Sequence, residues 1–315
     1  MTMSVIDAFL RSTAQTAAEP SPGPSRLREG ILAACLLAPA LLFLVAFVYA
    51  PAVLAFALAF FNFHPGGTAT YAGLSNFHAA LSDPLFWRSM ANTGLYALMM
   101  VPSTLVLSVA LAALLQSNRR LFRFAQSLVV LPYITPAVGT AIGWLWMYNP
   151  NFGILNALLR GIGLKPIGWL NSPHWAMPAV VLYSLWHGIG FDVLILLSAM
   201  SQVPEGVLES ARVDGAGPWT RLFRITLPLI SPTLFFIGVI TTIGSLQAFA
   251  QVYALSLSSG GPENATLTAL LYIYQQAFTQ GQFSYAAAMA AMLVVCIFAV
   301  TALTRWIGHR LTFYQ

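Results

Sequence analysis

The chain has 315 residues, of which 58% are hydrophobic and only 7% charged, with a formal net charge of +5. Soluble domains carry roughly 25% charged residues, so these proportions exclude a water-covered globule and place the chain in a membrane. The apolar runs are long and nearly continuous instead of ten-residue alternations, which favours an all-α integral membrane fold over a barrel.

In chain order, residues 1–30 are polar, carry Pro20, Pro22 and Pro24, and read as a flexible cytoplasmic arm. Its charged region is too long, and the apolar run that follows too extended, for a signal peptide. Hydropathy then predicts about six spans of ~20 residues or more. They cover roughly 31–61, 91–115, 124–148, 176–200, 231–256 and 284–306. The first is over-long and holds Pro39 and Pro51, so it is either steeply tilted or ends in a helix on the outer surface.

Arg11, Arg26 and Arg28 precede the first span, and Arg119, Arg120 and Arg123 lie between the second and third. Arg212, Arg221 and Arg224 lie between the fourth and fifth, and Arg305 and Arg310 follow the last. Of the 14 basic residues only Arg88, Arg160 and Lys165 fall on the other side. Positive loops stay inside, which predicts a multi-pass plasma-membrane protein with both termini cytoplasmic. Basic residues spread in this way form no patch, so no nucleic-acid partner is expected. Trp87, Trp169 and Trp175 sit in outer connections, with Trp144 and Trp146 near the outer end of the third span, where aromatic belts belong. The third outer connection, LSLSSGGPENATLTALL, is either a docking surface for an external protein around Gly260, Gly261 and Pro262 or a plain solvated turn. Cys35 and Cys296 lie in separate apolar runs and imply no disulfide or metal framework.

Residues 201–232, SQVPEGVLESARVDGAGPWTRLFRITLPLISP, place three acids and three arginines between two apolar runs. Pro204 suits a first helical turn, and Val203, Val207 and Ala211 recur at intervals of four with Leu208 beside them. Gly215 and Gly217 permit a turn, and Pro218 opens a second short helix. The stretch therefore reads as a helix–turn–helix with one apolar and one charged face. Such a unit can lie on the membrane, insert into a groove of a soluble partner, or simply connect two spans.

The order Glu209-Ser210-Ala211, three residues, Gly215, nine residues, Ile225-x-Leu227-Pro228 resembles the EAA loop of ABC-importer permeases, EAA-x3-G-x9-I-x-L-P. Asp214, Gly215 and Ala216 together, and Phe223, are similar to the carbohydrate-uptake branch, the maltose and glycerol-phosphate type. Ser210 departs from the usual Ala. The resemblance covers about residues 30–315, with LLAPALLFLVAFVYAPAV, LPYITPAVGTAIGWLWMYNPNFGILNALL and the third outer connection as further carriers. It implies a type I ABC importer permease fold for residues 31–315, and the subunit placed first of the usual permease pair. The 201–230 loop would then be a coupling helix in a cleft of an ATPase. Glu209 would anchor it, Gly215 would turn it, and Ala211 and Ala216 would allow close approach. The resemblance also implies a heterodimer with a second permease, two copies of an ABC ATPase that hold ATP and Mg, and an extracytoplasmic solute-binding protein delivering a sugar. No cofactor or metal is implied in this chain, and no enzymatic activity. Glycerol 3-phosphate or a related phosphodiester is the alternative substrate, and an ion-coupled secondary carrier the alternative class.

Polar groups inside spans are functional candidates by default, because a central charge costs at least ~2.5 kcal/mol. Asp192 is the only acid deep in a span and is either a substrate contact or a structural hydrogen-bonding group, conceivable as a protonated acid. If it is ionised, an anionic substrate is disfavoured. Gln247, Gln251 and Tyr253 offer sugar-binding groups or interhelical glue. Tyr183, Trp186 and Phe249 offer stacking faces or ordinary packing. Ser184 and His187 stand three apart but lack the acid and glycine context of a hydrolase. No internal repeat supports a secondary carrier, and no Walker sequence supports an ATPase in this chain.

Overall fold

A computed structural model describes residues 26–63, 66–116 and 120–308. Most of the expected N-terminal arm lies outside the described residues, as do Arg11, Arg119 and Arg310. The chain divides into two compact units, residues 1–55 and 56–315. The described part of the first unit begins with an apolar helix, α1 (Arg26–Leu44), which starts inside the expected arm. It passes through a π-helical turn, Val45–Tyr49, into α2 (Ala50–Leu58). Pro51 explains the turn. Its ring would press on the carbonyl four residues back, so the ladder slips by one residue and the Ala50 N–H donates to the Val45 carbonyl. The apolar stretch Gly30–Leu58 has 29 residues, roughly 43 Å of helix against a ~30 Å hydrocarbon layer.

In the second unit, the end of α2 is followed by a two-residue ribbon, β1 (Phe61–Asn62) against β2 (Thr70–Tyr71), antiparallel with Phe61 opposite Tyr71. Helix α3 (Ser75–Leu81) follows, and the Asn76 amide donates to the Ala59 and Phe61 carbonyls. Helix α4 (Pro84–Leu115) has 32 residues. Asp83 caps it by accepting from the Leu85 N–H, and Pro84 occupies the first turn where no donor is needed. This start lies seven residues before the expected span because hydropathy does not register caps.

Helices α5 (Arg120–Val130) and α6 (Ala137–Met147) replace the single third span expected at 124–148. Leu131–Thr135 break it, since Pro132 and Pro136 lie within one turn of each other and Pro136 ends extended as the cap of α6. Helix α7 (Ile154–Gly161) is short and precedes α8 (Pro173–Ser201), a 29-residue span. The α8–α12 connection contains α9 (Glu205–Val213), α10 (Pro218–Arg221), a π turn at Leu222–Thr226 and α11 (Leu227–Leu229). Helix α12 (Ser231–Leu246) is bent 72° from the preceding segment. Helices α13 (Ala250–Leu255) and α14 (Ala269–Tyr274) flank a compact loop, and α15 (Phe283–Gly308) ends the described chain. Among the described residues four helices are long and apolar enough to cross a membrane, the bent pair makes a fifth, and α6 is a shorter apolar helix, so the third expected span is divided between α5 and α6.

Two packed clusters form the interior. One joins the first half of α4, the first half of α8, and α13–α15 around Phe86, Tyr148, Val180 and Met289. The other joins the last part of α4, the last part of α8 and the α8–α12 connection around Ala112, Val193, Leu196 and Ile237. Along α4 the buried positions are Phe86, Ser89, Thr93, Tyr96, Met100, Thr104, Ser108, Ala112 and Leu115. That three- or four-residue spacing of small and hydroxylic side chains lets backbones approach closely, as membrane helices require.

Candidate functional site

The α8–α12 connection is built by its local spacing. Pro204 opens α9, Glu205 stands in its first turn and Arg212 in its last, each complementing the helix dipole. The end is a Schellman closure. Gly215 takes φ +79°, its N–H donates to the Arg212 carbonyl at 3.0 Å, and the Ala216 N–H donates to the Ala211 carbonyl at 2.9 Å. The interval from Ala211 to Gly215 and Ala216 is thus the interval this closure demands. Ala211 is buried, Ala216 half-buried, and Glu209, Ser210, Asp214 and Gly215 are exposed. The Ser210 hydroxyl donates to the Val207 carbonyl, so the side chain folds onto its own helix.

The second half has an equally local cause. Pro228 cannot donate, and the π turn Leu222–Thr226 lets the Leu227 N–H reach the Leu222 carbonyl. Ile225, Leu227 and Pro228 are half-buried, and Leu227 packs with Leu208 and Val203 on the second cluster. Val203, Leu208 and Ala211 of the apolar stripe therefore turn inward, whereas Val207 is exposed. Outward-facing apolar groups are instead Val207, Val213, Trp219 and Phe223, the last two stacked with centroids 6.0 Å apart.

A partly open cavity of about 350 Å³ is lined from α4, α6, α8, α12, α13 and the α5–α6 break. Three of the sequence candidates line it: Asp192, Gln251 and Tyr183. Asp192 is 9% exposed and has no hydrogen-bond or ion-pair partner among the described residues. The Gln251 amide donates to the Tyr96 hydroxyl at 3.1 Å. Tyr183 donates to the Ala137 carbonyl and lies 2.8 Å from the Thr140 hydroxyl, which fixes its ring between α6 and α8. The remaining four candidates lie elsewhere. Trp186 packs on Trp144 at 5.3 Å, Gln247 is exposed where α12 stops, and Phe249 and Tyr253 gather around Tyr274. Helix α12 ends at Leu246 and α13 restarts at Ala250, so Gln247 and Gln251 share no helical face.

Several lining residues were not foreseen as path residues: Tyr96, Thr104, the stacked pair Tyr133–Phe191 at 5.1 Å, and His187, whose Nε2 lies 3.1 Å from the Thr135 carbonyl. Tyr96 and Thr104 belong to the polar seam of α4, a signal visible in the sequence. Ser184 donates to the Val180 carbonyl within its own helix, a bond that serves the helix rather than His187.

The α13–α14 connection is folded tightly on itself. Gly260 and Gly261 take φ +82° and +75°, and a Cβ at Gly261 would lie 2.5 Å from the Thr266 hydroxyl. Pro262 opens a single 3-10 turn. Asn92 of α4 donates to the Asn264 and Leu267 carbonyls, and Gln275 donates to Ser258. Leu257, Ser258, Glu263 and Asn264 also hold positive φ, so this is a strained loop tied to α4 through Asn92. Asp83 braces the same end of the bundle, accepting from the Tyr272 hydroxyl at 2.6 Å and the Tyr285 hydroxyl at 2.7 Å. Burial opposes its ionisation, but these bonds and the Leu85 and Phe86 N–H groups outweigh it and hold the carboxyl below its usual range.

Apolar spanning helices, a largely apolar cavity between them that carries a few polar side chains and a charged helix–turn–helix on one long connection define a membrane permease subunit. The chain belongs to the binding-protein-dependent transport system inner membrane component family, whose pattern matches residues 104–313. It is 30% identical to the lactose transport system permease protein LacF of Rhizobium radiobacter over 264 residues, 82% of this chain and 88% of that one. It is 31% identical to the sulfoquinovosyl glycerol transport system permease protein SmoG of Agrobacterium fabrum, over 88% of this chain and 90% of that one. The sn-glycerol-3-phosphate transport system permease protein UgpA of Yersinia enterocolitica is 33% identical, over 79% of this chain and 84% of that one. Among solved structures, a bacterial ABC transporter involved in the import of the acidic polysaccharide alginate superposes with TM-score 0.79 at 25% identity, covering 91% of this chain and 97% of that one. The same alginate transporter in complex with its pentasaccharide-bound periplasmic protein gives 0.77, covering 90% and 96%. This chain is an inner-membrane permease subunit of a binding-protein-dependent ABC importer with the type I fold, and ATP hydrolysis belongs to a separate subunit.

Proposed function

We propose that this permease forms one half of a sugar translocation path and that the α8–α12 connection is its ATPase-coupling element. The observation that carries the reading is the Schellman-closed helix α9, which holds Glu209 and Asp214 outward on a rigid turn anchored by buried Ala211. In this reading Glu209, Ser210, Asp214 and Gly215 meet the ATPase. Ala211, Ala216, Ile225, Leu227 and Pro228 transmit its movement to α8 and α12, and Phe223 adds apolar contact. Two ATPase copies hold ATP and Mg, a second and different permease completes the path, and both chain termini lie in the cytoplasm. Gly260, Gly261 and Pro262 shape the outer loop that meets the binding protein.

Sugar is favoured by the cavity. Asp192, Gln251, Tyr96 and Tyr183 suit hydroxyl groups, and no Lys or Arg stands among the described lining residues to receive a phosphate. Glycerol 3-phosphate remains the second reading on the strength of the UgpA likeness. Reconstitution of the complex in vesicles with its binding protein tests both: vanadate-sensitive, ATP-dependent uptake of labelled neutral sugar is expected. Uptake driven by an ion gradient overturns the class, and ATP-driven uptake of glycerol 3-phosphate alone overturns the substrate.

A further inference from the structure

A second, larger cavity of about 970 Å³ runs as a groove between the last three turns of α4 and the α9–α11 segment. Its floor is an apolar strip of α4 that includes Val106, Ala110 and Leu114, all exposed. From Leu105 to Gln116 the strip spans roughly 16 Å of helix, close to the ~15 Å depth of one hydrocarbon leaflet. Its other wall carries Trp219, 72% exposed, and two guanidinium groups, Arg212 and Arg221. No acid lines it. Arg221 is half-buried, its Nε is buried with no hydrogen-bond partner, and neither arginine makes an ion pair among the described residues.

An occupant must therefore be apolar along one leaflet's depth and anionic at one end. A helix of a protein partner would satisfy the strip but would have to supply an acid at its membrane boundary. A free anion would satisfy the arginines and leave the strip open. We infer that this groove is a binding site for an anionic phospholipid, with acyl chains along α4 and the phosphate between Arg212 and Arg221. Trp219, exposed beside the arginines, supplies the kind of indole ring that borders headgroups. Basic pockets beside membrane helices hold anionic headgroups by the same charge complementarity. The site would tie the position of the α9–α11 segment to the lipid of its own leaflet.

The test uses the whole transporter, purified in mild detergent and passed through nanodiscs of phosphatidylcholine containing phosphatidylglycerol. Native mass spectrometry then counts retained lipid. Wild type is expected to retain phosphatidylglycerol, and R212Q/R221Q to retain at least tenfold less, with phosphatidylcholine unchanged in both. A110W fills the apolar half while leaving both arginines, and is expected to give the same loss; it carries the test if the double variant fails to assemble. Inorganic phosphate is expected not to compete. Equal retention in wild type and either variant, equal retention of phosphatidylcholine, displacement by inorganic phosphate, or photocrosslinking from position 110 to another protein helix instead of lipid would each overturn the proposal.

Discussion

At the turn between α9 and α10, Gly215 stands at φ +79° with nothing within 4 Å of where a Cβ would sit. In the α13–α14 connection, Gly261 stands at φ +75° with the Thr266 hydroxyl 2.5 Å from that same point. Both turns need glycine for backbone conformation, but only the second needs it for space. The first is closed by two hydrogen bonds within six residues and leaves its side chains to the outside. The second is fastened to α4 by Asn92 and to the following helix segment by Gln275, over long sequence distances. The proposed roles fit this difference: a turn that transmits force to another subunit is best exposed and locally rigid, whereas a loop that frames an entrance is best fixed to the body behind it.

The largest expected effect breaks the first turn. Gly215→Pro cannot adopt positive φ and removes the donor to Arg212, a cost of about 3 kcal/mol or more, equivalent to roughly a hundredfold. Uptake should fall by at least that factor while the chain still reaches the membrane fraction, as measured by uptake assay and membrane immunoblot. Next, Asp192→Asn keeps size and removes charge. Competition by an anionic sugar against neutral-sugar uptake should improve about tenfold, on the order of the cost of a single unfavourable charge contact. Uptake of the neutral sugar itself should change little.

Gly261→Ala sharpens the contrast between the turns. Strain of about 1–3 kcal/mol should lower the thermal midpoint by several degrees, because each kcal/mol moves it by about 2–4 °C in a chain of this size. Gly215→Ala should cost only the conformational penalty of about 1–2 kcal/mol. Equal shifts in a thermal scan would remove the distinction. The smallest effect concerns Asp83. Its folded pKa lies below the unfolded value of 3.8, so its stabilisation is complete above that value and is lost as pH falls through the folded one. Between pH 4 and 3 the wild-type midpoint should drop more than that of Asp83→Asn, as a thermal scan at each pH would show.

Features closed over short sequence distances were legible beforehand. The Gly215 turn and the proline entry to α12 are specified within a few residues, and the long spans α4, α8 and α15 by continuous hydrophobicity. Pro132 and Pro136 did announce the break between α5 and α6, but a hydropathy window averages across them. The π turns at Val45–Tyr49 and Leu222–Thr226 each precede a proline, yet proline alone does not say whether a helix bends, breaks or slips by one residue. The cavity was the least legible part. Gln251 meets Tyr96 across 155 positions, and that pairing depends on how α13 rotates after the stop at Leu246. For Trp186 and Phe249 the sequence leaves stacking faces and ordinary packing open, because composition reports ring type and not direction.

The central claim, that the α9–α11 segment couples this subunit to an ATPase, is tested most directly by purifying wild type and Gly215→Pro from native membranes in mild detergent and identifying what accompanies each by mass spectrometry. Wild type is predicted to bring a Walker-sequence ATPase and a second permease. The variant is predicted to keep the second permease and lose the ATPase. An ATPase retained equally by the variant, or a wild-type chain that transports as a self-oligomer without one, would contradict the account.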